Sequence, residues 1–311
     1  MQSALLRIGT RGSPLALAQS NLVSALLREA HGWPEEAVEI VPIKTSGDAI
    51  VDRALADFGG KGLFTLEIEE ALATGRVDIA VHSAKDLPTA LPDGLAVRAA
   101  LPRADVRDAF LSPAAPDLQS LPPGAVLGTS SLRRKALALM VRPDLKVVEF
   151  RGNVATRLRK LEDGIADATM LALAGLTRLG MREKATGVIE TDEFLPAVGQ
   201  GTIAIEARSD DDRVGEMLAP INDPGSLICL EAERAFLAAL DGSCRTPIGG
   251  LAEITGERIG LRGIIVTPDG TRHHRASREG SLADAVALGR DAGEELAVRG
   301  GPDFFATGAS A

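Results

Sequence analysis

Three groups of residues have the types and spacing to do chemistry. The first is Leu127-Gly128-Thr129-Ser130-Ser131-Leu132-Arg133-Arg134, followed closely by Arg151-Gly152-Asn153 and Arg157. A short apolar run meets a turn of small residues, and a helix-forming run, Leu132 to Val141, begins there. Thr129 and Ser130 suit an N-cap, so backbone N–H groups point out of the turn and the helix dipole favours an anion. Two arginines in the first helical turn oppose that dipole, which makes sense if something negatively charged sits on the turn. A capped surface helix with solvated arginines would carry the same pattern. The second group centres on Asp86, which follows the apolar strand Val77–Val81 in the run His82-Ser83-Ala84-Lys85-Asp86-Leu87-Pro88. A carboxylate just past the end of a parallel strand can hold a developing cation or pass a proton to a leaving group. By position alone, an Asx-turn aspartate before Leu87-Pro88 is the simpler reading. The third is Cys244 in a Gly-Ser-Cys-Arg loop, where Arg245 would stabilise a thiolate. No base-supplying histidine adjoins it, so nucleophile, attachment point and tolerated small residue all stay open.

The elements that must position these groups alternate strand and helix. Leu5 to Gly9 reads as a strand, and Ser13-Pro14 as the capped start of an amphipathic helix. Val38 to Ile43 is a second strand, followed by a glycine-rich stretch, Phe58-Gly59-Gly60-Lys61-Gly62, that suits a mobile lid or a long connector. A degenerate repeat then appears. Ile8-Gly9-Thr10-Arg11-Gly12-Ser13 plus helix matches Leu127-Gly128-Thr129-Ser130-Ser131 plus helix, and Gly75-x-x-Asp78 plus strand matches Gly164-x-x-Asp167 plus strand. Apolar strands buried on both faces imply parallel sheets, and two such domains usually face each other across a cleft. Leu195 to Gly201 reads as a return hinge, and Pro220-Ile221-Asn222-Asp223-Pro224-Gly225 as a linker. Domain 1 is therefore expected over 1–101 and 202–220, domain 2 over 102–201, and a smaller α+β unit over 221–311.

Charge narrows the partner. The 311-residue chain has a net charge of −9, which argues against non-specific nucleic-acid binding. Yet Val126 to Arg182 holds 11 Lys and Arg against 5 Asp and Glu, which suits a small, localised anion. Two cysteines cannot make a disulfide framework, and no run approaches bilayer-spanning length, so a cytoplasmic protein is expected. Cys229, on an apolar helix face, reads as a core residue. His273-His274 would point to opposite faces of a strand, which argues against a metal pair, and no metal is expected. The P-loop and Rossmann glycine patterns are absent.

Taken together, the chain resembles the porphobilinogen deaminases, also called hydroxymethylbilane synthases, from Arg7 to about Gly300. The likeness runs through Ile8–Leu17, Gly59–Phe64, Asp78–Pro88, Gly128–Arg134, Arg151–Arg157, Ala172–Gly180, Leu195–Gly201 and Gly242–Gly249. The resemblance implies an α/β fold: two similar doubly wound domains of periplasmic-binding-protein-like (type II) topology around a cleft, plus a smaller α+β C-terminal domain. It implies head-to-tail joining of four porphobilinogens, with loss of ammonia, onto a dipyrromethane cofactor attached to Cys244 by a thioether. Asp86 is the implied catalytic group and the one acid expected among basic neighbours. Lys85, Asp86, Thr129, Ser131, Arg133, Arg134 and Arg157 match the family's cofactor contacts. Arg11, Ser13, Arg151, Arg157, Arg178 and Gln200 match its substrate contacts, and Lys61 belongs to its mobile loop. Bidentate guanidinium–carboxylate pairing explains arginine over lysine at most of these positions. The family implies a monomer. Two departures stand out: Asp241-Gly242-Ser243 precedes the cysteine where many relatives have Glu-Gly-Gly, and Asp57 stands where some have lysine. The competing reading is a non-catalytic two-domain anion- or solute-binding protein, which would give Cys244 and Asp86 no role.

Overall fold

Short apolar strands interleaved with amphipathic helices build two of the three sheets in the computed structural model, which describes residues 5–49, 65–242 and 246–306. Lys61 and Cys244 lie outside the described residues, as do Asp57 and the run Phe58–Gly62. Contacts gather Met1–Ala104 with Thr202–Leu227 in one compact unit and Asp105–Gly201 with Ile228–Ala311 in the other.

The first unit contains strands β1 (Leu6–Arg11), β2 (Val38–Ile43), β3 (Ile79–Ser83) and β4 (Leu95–Ala100). The second contains β5 (Asp108–Leu111), β6 (Val126–Gly128), β7 (Lys146–Val148), β8 (Ala168–Ala172) and β9 (Gly187–Ile189). The chain then re-enters the first unit as β10 (Ile203–Arg208). The sheet orders are β2-β1-β3-β10-β4 and β7-β6-β8-β5-β9, the same winding with a crossover strand fourth in each. This agreement gives the repeat in the sequence a structural counterpart. The sheets are mixed rather than parallel, because β10 runs antiparallel to β3 and β4, and β5 antiparallel to β8 and β9. Both exceptions are crossover strands, which enter their sheets from the opposite end.

In the first unit α1 (Pro14–His31), α2 (Ser46–Ala49), α3 (Leu66–Ala73) and α7 (Asp212–Leu218) accompany the sheet; α4 (Leu132–Val141), α5 (Val154–Glu162) and α6 (Leu173–Arg178) accompany the second. Helix α1 starts as its sequence requires: Ser13 Oγ accepts from the Ala16 N–H at 3.4 Å, and Pro14 takes the first position. Its Val23 and Leu27 pack with Leu6, Ile8, Ile79 and Val81, while Ala80 faces the opposite side with Ile68 and Leu72 of α3. With both faces covered, a strand needs continuous apolar residues, and each Leu or Ile so buried contributes roughly 1.5–3 kcal/mol.

The third sheet, β11 (Ile248–Thr255), β12 (Arg258–Val266) and β13 (His273–Ser281), is antiparallel. Helices α8 (Pro224–Ala239) and α9 (Ala285–Gly300) supply Phe236, Ala292 and Leu296 to its core. Leu251, Ile264 and Val266 instead join the cluster under α4. The turn after β12 also reaches α4: at Gly270, with φ 77°, an added Cβ would lie 2.6 Å from Met140 N, so only glycine fits. The expected linker is shorter than its composition suggests. Pro224 already begins α8, and Asp223 accepts from the Ser226 N–H at 2.7 Å to cap it.

Candidate active site

The first unit brings Asp86 together with Arg11 and Ser13. β1 ends at Arg11 and β3 at Ser83, and a single 3₁₀ turn, Ala84–Asp86, carries the aspartate past the strand end. Arg11, Ser13, Gln19, His82, Ser83 and Asp86 line one depression. Asp86 is exposed, and among the described residues its carboxylate takes no hydrogen bond, so it is not the Asx-turn residue its position suggested. Lys85 is half-buried and is not among the lining side chains.

The second unit holds the arginines, arranged differently from the expectation. The N-cap of α4 is Ser131, whose Oγ accepts from the Arg134 N–H at 3.4 Å. Thr129 instead accepts from the Ser131 N–H at 3.1 Å, and Ser130 from the Phe150 N–H at 3.2 Å. Gly128 must be glycine, since a Cβ there would sit 2.5 Å from the Phe150 ring.

Arg133 and Arg134 are buried, and their counter-ion comes from the same chain. Arg133 Nη2 donates to Asp108 Oδ2 at 2.7 Å, and Arg134 Nη2 to Asp108 Oδ1 at 2.8 Å. Arg133 Nη1 donates to Leu195 O and Arg134 Nη1 to Met170 O, both at 2.9 Å. Gln200 Nε2 also donates to Asp108 Oδ1, at 2.9 Å, and to Val106 O at 2.7 Å. Burial opposes ionisation of Asp108, but the attraction of Arg133 and Arg134 outweighs it and holds the carboxyl well below the usual carboxylate range. Asp86 is therefore not the one acid among the basic groups. Asp108 was detectable as the lone charge of an otherwise apolar strand, Asp-Ala-Phe-Leu, because a buried carboxylate needs cationic partners.

Two arginines and one aspartate still leave one positive charge, and Arg133 Nε is buried with no hydrogen-bond partner among the described residues. Arg151 pairs with Glu149 at 2.6 Å, and Arg157 Nε donates to Gly152 O at 2.9 Å. Arg178, at the end of α6, donates to Gly201 O at 2.6 Å, and no carboxylate among the described residues pairs with it. Desolvation lowers its pKa to about 10. A cation taken out of water without a counter-ion is costly, and among the described residues Arg178 is in that position. Cys229 is buried in the core of the third sheet, as its sequence position suggested. Among the described residues there is no metal-holding cluster and no helix long and apolar enough to cross a membrane.

These features define a class: a two-unit α/β protein with cationic groups at strand and helix ends and, past the end of β3, the exposed carboxylate of Asp86. The comparisons with known proteins give the family. The model for the porphobilinogen deaminase dipyrromethane cofactor-binding domain matches residues 6–216, and that for the porphobilinogen deaminase C-terminal domain matches 227–298. Porphobilinogen deaminase of Nitrobacter winogradskyi is 60% identical over 97% of this chain and 95% of its own length. That of Paracoccus denitrificans is 57% identical over 96% of each. A periplasmic substrate-binding protein from Coxiella burnetii is 16% identical over 71% of this chain and 94% of its own, with a TM-score of 0.44. The chain belongs to the porphobilinogen deaminase family.

Proposed function

We infer that the chain is a transferase of tetrapyrrole biosynthesis. It joins four porphobilinogens head to tail, each with loss of ammonia, and releases hydroxymethylbilane by hydrolysis. The observation that carries the reading is the exposed Asp86 carboxylate in one depression with Arg11 and Ser13.

Porphobilinogen is a pyrrole with an aminomethyl group and two carboxylate arms. Arg11 and Ser13 suit an arm, which leaves Asp86 for the reacting end. When the aminomethyl carbon–nitrogen bond breaks, its electron pair leaves with the nitrogen as ammonia and positive charge moves into the ring. A fixed carboxylate beside the ring N–H stabilises that charge more than it stabilises the starting ammonium. The same group can take up the proton released when the new carbon–carbon bond forms.

Dipyrromethane carries two pyrroles and four carboxylate arms. The excess charge around Arg133 and Arg134 and its unpartnered Nε fit such an acidic group. We assign Thr129, Ser131, Arg133, Arg134 and Arg157, with Lys85 and Asp86, to holding it, and Arg151, Arg178 and Gln200, with Arg11 and Ser13, to substrate. Gln200 would act mainly by bracing Asp108. We further propose that Cys244 anchors the cofactor through a thioether, since a soft thiolate suits an electrophilic pyrrole methylene. When bound, the cofactor supplies the covalent anchor on which the chain is built. Lys61 is proposed as a lid residue, and the protein as a cytoplasmic monomer.

The test is stoichiometric. Purified protein given porphobilinogen should release four ammonia molecules per linear tetrapyrrole. Binding without ammonia release would favour a solute-binding protein instead.

A further inference from the structure

Between β7 and α5, the residues Phe150, Arg151, Gly152 and Asn153 lie in neither strand nor helix, and a side chain ties each of them. The Phe150 N–H donates to Ser130 Oγ at 3.2 Å. Lys160 Nζ donates to Arg151 O at 3.1 Å, and Arg157 Nε to Gly152 O at 2.9 Å. Asn153 Oδ1 accepts from the Thr156 N–H at 2.9 Å and caps α5. At Gly152, with φ 121°, an added Cβ would lie 2.6 Å from Thr156 Cγ2, so this path through the loop requires glycine. The segment that carries Arg151 is therefore held residue by residue. Of its two cationic ties, Arg157 already has a place at the ligand, and Lys160 has none.

The placement of Lys160 runs against its own electrostatics. It stands in the last turn of α5, where the carbonyl end of the helix favours a cation. Its half-buried side chain instead turns back to the N-terminal end, where the dipole repels it and Arg151 and Arg157 add positive charge. Among the described residues no carboxylate pairs with its ammonium. Two contacts offset the repulsion: the Arg151 carbonyl, and the Phe150 ring, whose centroid lies 5.8 Å from Nζ. Phe150 is fully buried and its ring lies against Gly128, so the ammonium grips the loop from a fixed base.

We propose that Lys160 is a positioning residue for substrate binding: by holding the Arg151 carbonyl, it sets the Arg151 guanidinium for a carboxylate arm of porphobilinogen. A guanidinium grips a carboxylate best through two parallel hydrogen bonds, and a displacement of about 1 Å is enough to spoil them. The inference rests on the assignment of Arg151 to substrate.

An arm held away from the reacting carbon is bound about equally in substrate and transition state, so a weaker grip shows in KM. In the full-length, cofactor-loaded protein, Lys160→Met removes the ammonium and keeps an unbranched chain. It should raise KM for porphobilinogen about tenfold, read by ammonia release, and leave kcat within about twofold. Lys160→Arg keeps a donor of similar reach and should recover most of the affinity. A role in stability alone would lower the melting temperature and the folded fraction, and with it kcat, without raising KM. Lys160→Gln, whose amide is too short to reach the carbonyl, repeats the test if the methionine protein does not fold. A double-mutant cycle gives the second reading. Arg151→Met should raise KM by at least as much, and adding Lys160→Met to it should raise KM no further, because the two residues act as one. An unchanged KM in Lys160→Met beside a raised one in Arg151→Met, no recovery in Lys160→Arg, or additive effects in the double variant would overturn the proposal. A parent-like KM in Arg151→Met would overturn the assignment of Arg151 to substrate, and the proposal with it, which separates the two failures.

Discussion

Asp86→Ala should slow ammonia release from porphobilinogen by about 100- to 1,000-fold, the loss typical when a group aimed at transition-state charge is removed. The fold should hardly notice. Asp86 is exposed and takes no hydrogen bond among the described residues, so stability should stay within about 0.5 kcal/mol of the parent. Asp86→Asn keeps the shape and removes only the charge, and is expected to be nearly as slow. Single-turnover ammonia release, with thermal unfolding as the control, reads both effects. Near-normal rates in either variant would remove Asp86 from the mechanism.

Asp108→Asn should destabilise the protein by about 3–5 kcal/mol, because it leaves the buried guanidiniums of Arg133 and Arg134 without a counter-ion. That is a large share of the ~5–15 kcal/mol that holds a typical domain together. Arg134→Met should cost less, since Arg133 still neutralises the aspartate. The same carboxylate sets an acid dependence. Its pKa is lower in the folded chain than its ordinary value of 3.8, so its contribution is fully present above that value. As pH falls below it, the unfolded chain takes up a proton that the folded chain refuses, and stability drops. Urea unfolding across this range checks both statements. A change under about 1 kcal/mol for Asp108→Asn would mean that the arginines find other partners.

Much of this was legible because local patterns have local causes. Ser13-Pro14 opens α1 as its types require, α4 spans the helix-forming run Leu132–Val141, and the repeated blocks became two sheets wound in the same order. What the sequence hid was long-range. The antiparallel setting of β5 and β10 depends on where the chain crosses between units. The N-cap fell on Ser131 because Thr129 and Ser130 turn to the backbone of Ser131 and Phe150. Arg133 and Arg134 looked like an empty anion site because Asp108, their partner, stands some 25 positions earlier in an apolar strand. His82 looked like one more residue of the Asp86 run until the register placed Glu206 diagonally across from it.

We propose that Cys244 carries a covalently bound cofactor of two linked pyrroles. Intact-mass measurement of the denatured, freshly purified protein tests it most directly. The mass should exceed that of the 311-residue chain by two linked pyrroles, and Cys244→Ser should lack this excess and be inactive. Active protein with the unmodified mass would contradict the account.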